Sequence, residues 1–235
     1  MKTALLVVAA CGAAASADVT PIAGFSGHTV IDYQSGQVTQ PTRGASEVVY
    51  SALTGVGSAR SQATAATVYD DLQFAGDGII DSLTFSIVNF GTANYTGGNV
   101  SVVLDDYVGF AAPGANLAVL NVDLTGQLDI GAGGFTQLIT LTNLEGLGLT
   151  VNAGDQIWAG VRFDDAGNVA DGDLAQLITA PSDIGFSQDL FYDNGLLFFG
   201  GSPYANFGWE ITTIPAPAGL AMLGLGGLVA TRRRR

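Results

Sequence analysis

Thirty-three glycines cut this 235-residue chain into short apolar runs, and no run in its middle carries the period of a helix. A strand needs only a few residues and alternates its faces every second one. A helix needs a longer stretch with apolar positions three and four apart. Leu83, Phe85 and Ile87 alternate with Thr84 and Ser86, and Val100, Val102 and Leu104 alternate with Ser101 and Val103. Trp158, Gly160 and Arg162 fall on one face of a third run. Gly97-Gly98, Gly133-Gly134 and Ala153-Gly154-Asp155 are turn chemistry. The expected strands are His28–Tyr33, Glu47–Ala52, Thr67–Phe74, Ile79–Phe90, Asn99–Asp105, Leu117–Leu124, Phe135–Thr142, Gln156–Asp164, Leu174–Thr179, Leu196–Phe199 and Asn206–Thr212. So many short strands need two sheets to bury their inner faces, which predicts an all-β, two-sheet β-sandwich or jelly-roll-like body over residues 18–213. The first fifty residues after Ala17 are more polar and read as a loosely packed lead-in, Gln34 to Ala45 especially. No internal repeat is evident.

Charge narrows the partners. Lys2 is the only lysine, and Arg232 to Arg235 end the chain. Between these ends Arg43, Arg60 and Arg162 face 21 carboxylates, a net charge of −18 for the body. Such a surface has nothing to neutralise phosphate, so nucleic acid is excluded as a partner. The body has no cysteine and therefore no intrachain disulfide.

Both ends are apolar and read as addresses. Met1-Lys2-Thr3, an apolar run from Ala4 to Ala14 and the exit Ala15-Ser16-Ala17 are the three parts of a secretory signal helix, with cleavage expected after Ala17. A buried N-terminal helix and a lipoprotein signal acylated at Cys11 are the competing readings. At the other end Ile214-Pro215-Ala216-Pro217 precedes an uncharged run from Ala218 to Ala230, then Thr231 and four arginines. The run is shorter than the ~20 residues of an ordinary spanning helix, and the arginines would stay on the cytoplasmic side. An unprocessed C-terminal anchor is one reading of this hydrophobic helix.

This tail, Pro215-Ala216-Pro217 with a short Ala/Leu/Gly helix and Arg232, Arg233, Arg234 and Arg235, resembles the PEP-CTERM sorting signal of Gram-negative bacteria. The resemblance covers residues 214–235 and departs from the family at Ala216, where glutamate is usual. It implies signal peptidase and an exosortase-like membrane enzyme as partners, and delivery to the cell surface or extracellular matrix. Tyr69-Asp70-Asp71-Leu72, Ser82–Phe85, Trp158–Phe163 and Asn206–Trp209 resemble the sandwich bodies found ahead of such tags, which implies fold and export and no activity.

Catalytic groups are scarce. His28 is the only histidine, so any Ser-His-Asp triad would need it, and it reads as a solvated strand-end residue. Carboxylates are plentiful, clustered at Asp70-Asp71, Asp105-Asp106, Asp164-Asp165 and Asp171-Gly172-Asp173. A glycosidase would use two of them across one bond. Calcium takes about six to eight oxygen ligands. Asp164, Asp165, Asn168, Asp171 and Asp173 place oxygen-bearing side chains in one glycine-containing loop, so a structural Ca²⁺ is the one cofactor to test against a solvated acidic loop. Phe186, Phe191, Tyr192, Phe198, Phe199, Tyr204, Phe207 and Trp209 crowd the end of the body, as core or as a surface for polysaccharide. The expectation is a non-catalytic surface or matrix structural protein, with a carbohydrate- or calcium-binding adhesion module as the alternative.

Overall fold

The computed structural model describes residues 19–40, 46–54, 57–110, 112–188, 190–198 and 206–215. The signal segment 1–17 and nearly all of the tail lie outside them. In chain order the strands are β1 (Val19–Pro21), β2 (Gly24–Asp32), β3 (Gln37–Thr39), β4 (Glu47–Ser51), β5 (Ser58–Ser61), β6 (Thr67–Gln73), β7 (Gly78–Asn89), β8 (Asn99–Asp106) and β9 (Asn116–Asp123). They continue as β10 (Phe135–Thr142), β11 (Thr150–Val151), β12 (Gln156–Phe163), β13 (Leu174–Thr179), β14 (Leu190–Tyr192), β15 (Leu196–Phe198), β16 (Asn206–Phe207) and β17 (Glu210–Ile214). One 3₁₀ turn, Glu145–Leu147, interrupts them. Among the described residues no helix is long and apolar enough to cross a membrane.

The strands form two sheets. The larger runs β1-β5-β13-β7-β10-β2-β3, and β7 is its spine. Along one side β7 pairs with β10 through Leu83–Asn89, and along the other with β17 through Ile79–Thr84 and with β13 at Val88 and Asn89. The pairing of β10 with β2 is parallel; the other ladders among the described residues are antiparallel. The smaller sheet runs β15-β14-β6-β12-β8-β9.

The alternation in sequence chooses the faces. Leu83, Phe85 and Ile87 of β7 meet Val100, Val102 and Leu104 of β8 and Ile157, Ala159, Val161 and Phe163 of β12 in one core. Full burial of each large side chain contributes roughly 1.5–3 kcal/mol. Trp209 is fully buried beside Phe85, ring centroids 6.3 Å apart. Thr84 and Ser86 face away from this core, as their parity predicts: Thr84 Oγ1 lies 2.6 Å from Thr140 Oγ1, and Ser86 Oγ accepts from the Leu177 N–H.

Each of the eleven expected strands is present. The span Asn206–Thr212 is two strands, because β16 pairs with β13 and β17 with β7 and β4. The short strands β1, β3, β5, β11 and β14 were not anticipated; their two to four residues hold too little pattern to show a period. The lead-in needs correction. Part of it is β3, paired with β2. Val30 and Ile31 of β2 are core residues, because the parallel pairing with β10 draws β2 inside, and Val49 and Tyr50 of β4 are buried beside β17.

Candidate functional site

The outer face of the smaller sheet lies away from the main core, yet much of it is shielded: Asp71, Trp158, Ser101, Val103 and Asp105 are buried. Cross-strand register places Asp71, Trp158, Asp105 and Asn116 in one row. Tyr192, Tyr69, Gly160, Val103 and Val119 form the next, and Thr67, Arg162, Ser101 and Asn121 a third. Trp158, Gly160 and Arg162 thus share one face as the sequence predicts, and that face points away from the core.

Aromatic rings join across this face. Tyr107, just after β8, stacks on Trp158 with centroids 5.6 Å apart and planes 29° from parallel. Tyr192 meets Trp158 edge-on at 6.2 Å and Tyr69 at 6.3 Å, while Phe110 meets Tyr107 at 5.8 Å. Trp158 is fully buried beneath its neighbours, its Nε1 without a partner among the described residues. Tyr69, Tyr107 and Tyr192 are half-buried and Phe110 is exposed. Gly160 is the floor: a Cβ there would lie 2.7 Å from Cδ1 of Tyr69, so any side chain would lift that ring off the sheet. Polar groups rim the strip. Asn116 Nδ2 donates to Asp105 at 2.9 Å, Ser101 Oγ donates to Asn121 at 2.8 Å, and Arg162 Nε pairs with Asp164 at 2.6 Å. Burial and the Asp105 carboxylate hold the Tyr69 hydroxyl protonated far above its ordinary range.

Behind the strip lies a closed polar cluster. Ser187 Oγ is 3.0 Å from Asp70 Oδ1, 3.3 Å from Asp71 Oδ1 and 2.6 Å from the Asn206 amide. Phe207 N–H donates to Asp70 at 2.8 Å and Gln188 N–H to Asp71 at 3.1 Å. Both aspartates are fully buried. Burial, and then the neighbouring Asp71 charge, push Asp70 well above the carboxylate range; burial pushes Asp71 up to about 7. Both shifts favour the protonated acid over the carboxylate. The cluster clips the 187–188 segment and β16 onto β6.

The oxygens of the acidic loop are engaged in hydrogen bonds. Asp164 accepts from Arg162 and Ser101, and Asp165 from the Asn99 N–H and Nδ2 and from the Gly167 N–H. Asn168 Oδ1 accepts from Thr96, Asp171 from the Thr64 N–H, and Asp173 from the Ala170 N–H. Each oxygen is directed at a different stretch of chain. Among the described residues no three His, Cys, Asp or Glu side chains converge as metal ligands.

His28 lies in mid-strand on β2 rather than at a strand end, its Nε2 2.7 Å from Thr140 Oγ1. It borders a groove of about 780 Å³ on the outer face of the larger sheet, with Ser82, Thr84, Thr140, Thr212 and Glu210. Of the aromatics near the end of the body, Phe191, Phe207 and Trp209 are core, Phe186 is exposed, and Tyr192 alone joins the strip. The side chain of Phe198, and Phe199 and Tyr204, lie outside the described residues. Tyr69 and Tyr107 were missed. Tyr69 shares the parity of Asp71 on β6, which was the available signal; Tyr107 follows its strand and has none. Of the sorting and cleavage residues only Pro215 is described, exposed directly after β17; Ala15, Ala17, Ala216, Pro217 and Arg232 to Arg235 lie outside.

Comparison with protein-family models, with curated proteins and with solved structures finds no match.

Proposed function

We propose that this chain is an exported, non-catalytic surface or matrix module whose smaller sheet binds carbohydrate. The aromatic strip Tyr69, Tyr192, Trp158, Tyr107 and Phe110 carries the reading. Sugar rings offer C–H faces to aromatic planes and hydroxyls to the polar groups beside them, and here Asp105, Asn116, Asn121 and Arg162 flank the rings. The excess of carboxylates disfavours acidic polysaccharides and favours neutral or amino sugars. The absence of catalysis is supported by the closure of Asp70 and Asp71, the strongly perturbed carboxyls, to any substrate.

The two ends supply the route. A secretory signal over 1–17 and a PEP-CTERM-like tail over 214–235 would deliver the body outside, with an exosortase-like enzyme releasing or re-attaching it. Intact mass of the mature protein from its native host checks both cleavages. Binding is tested with a neutral and amino-sugar glycan array, read also by tryptophan fluorescence. Tyr107→Ala and Tyr192→Ala should each weaken retention at least tenfold while leaving the melting temperature within a few degrees. Silence across the array, or unchanged binding in both variants, refutes the sugar reading and leaves a purely structural surface protein.

A further inference from the structure

We infer that β9 is a docking edge for a second copy of this chain, so that two smaller sheets join antiparallel into one. The observations are independent of the sugar reading.

The smaller sheet ends in β9, which pairs with β8 alone. Leu124 N–H donates to Gly98 O at one end of this ladder and Asp106 N–H to Ala115 O at the other. Antiparallel alternation from these anchors turns the N–H and C=O of Val119 and Asn121 away from β8. They find no partner among the described residues.

Other edges are protected. β1, β3 and β15 are three residues each, and β1 ends in Pro21. The free side of β4 is taken by Ser51 N–H to Ile184 O and by Ala75 N–H to Val49 O. β9 is eight residues long, has neither proline nor lysine, and carries no charge before Asp123. Exposed Leu117 and Val119 lie on it, and exposed Val108 and Phe110 sit in the turn that leads to it. Natural edges are ordinarily blunted by short length, proline, charge or a bulge; β9 has its bulge near its start and its charge at its last residue, and its middle is open to pairing.

The charge pattern selects the occupant. The only charged residue of β9 is at its C-terminal end. Antiparallel pairing of two copies sends the two Asp123 carboxylates to opposite ends of the new ladder, whereas parallel pairing sets them side by side. The strand offers an oppositely charged partner only the single carboxylate at its end, and a two-fold axis normal to the sheet satisfies both copies with the same edge. That axis keeps both outer faces on one side, so both aromatic strips would point the same way and a polymer could meet two at once. Repulsion between two bodies of −18 opposes the contact, so association should tighten as salt rises.

The test is sedimentation velocity of the full chain from low to high salt, with Val119→Lys, Asn121→Lys and, on the β3 edge, Val38→Lys. The unaltered chain should approach twice its 24.0 kDa mass as salt increases, and Val38→Lys should behave likewise. Val119→Lys and Asn121→Lys should stay monomeric with unchanged melting temperatures; two sites guard against one variant failing to fold. A chain that is monomeric at every salt concentration overturns the inference. So does association that survives both β9 lysines, since the contact would then be made by the apolar ends or another face.

Discussion

The native protein should lose stability between pH 5 and pH 7, and replacing both buried aspartates with asparagine should abolish that fall. In the folded chain Asp70 lies well above the ordinary carboxylate range and Asp71 is raised to about 7, from its ordinary value of 3.8. The unfolded chain has lost both protons by pH 5, while the folded pair around Ser187 still holds at least one. Stability changes with pH in proportion to protons bound unfolded minus protons bound folded, here negative, so it falls as pH rises. One proton corresponds to about 1.4 kcal/mol per pH unit, or about 3 kcal/mol from pH 5 to pH 7. For a domain of this size that is roughly a 6–12 °C drop in melting temperature. Asp32, Asp123, Asp165 and Asp171 are shifted the opposite way, so their contribution is lost only as pH falls through the acid range below this window. The assay is urea unfolding of the full chain at half-unit steps from pH 5 to pH 8, for the native protein and Asp70→Asn/Asp71→Asn. A native curve that is flat or rises with pH, or a double variant that keeps the native slope, refutes the retained proton.

Three further outcomes follow from the geometry. Gly97→Ala should destabilise by at least about 2–3 kcal/mol in thermal unfolding, because Gly97 has φ +108° and a Cβ would lie 1.8 Å from Leu124 O. Trp209→Ala should cost about 3–5 kcal/mol, measured by urea midpoint, since a fully buried indole leaves a cavity between β17 and the core. Asp165→Ala should cost roughly 1–2 kcal/mol through its lost bonds to Asn99 and Gly167, equally with calcium or with a chelator; a loss seen only with calcium would restore a metal role to this loop.

Local pattern was enough for the long strands. Leu83-Thr84-Phe85-Ser86-Ile87 carries its own period of two, and Phe135–Thr142 and Leu174–Thr179 are present with the expected bounds. Chain-wide charge is likewise fixed by composition. Those are properties of a residue and its near neighbours, or of composition, so they are legible in one dimension. Which strand lies beside which is not. Tyr107 and Trp158 are some fifty residues apart and stack only because β8 and β12 are neighbours. Asp70, Asp71 and Ser187 meet only because the 187–188 segment folds back along β6. In the acidic loop, spacing records which oxygens are near in sequence; that Asn99, Thr96 and Thr64, remote in sequence, hydrogen-bond to them is a matter of tertiary structure. The alternation decided that two faces would exist, and long-range pairing decided what each face would display.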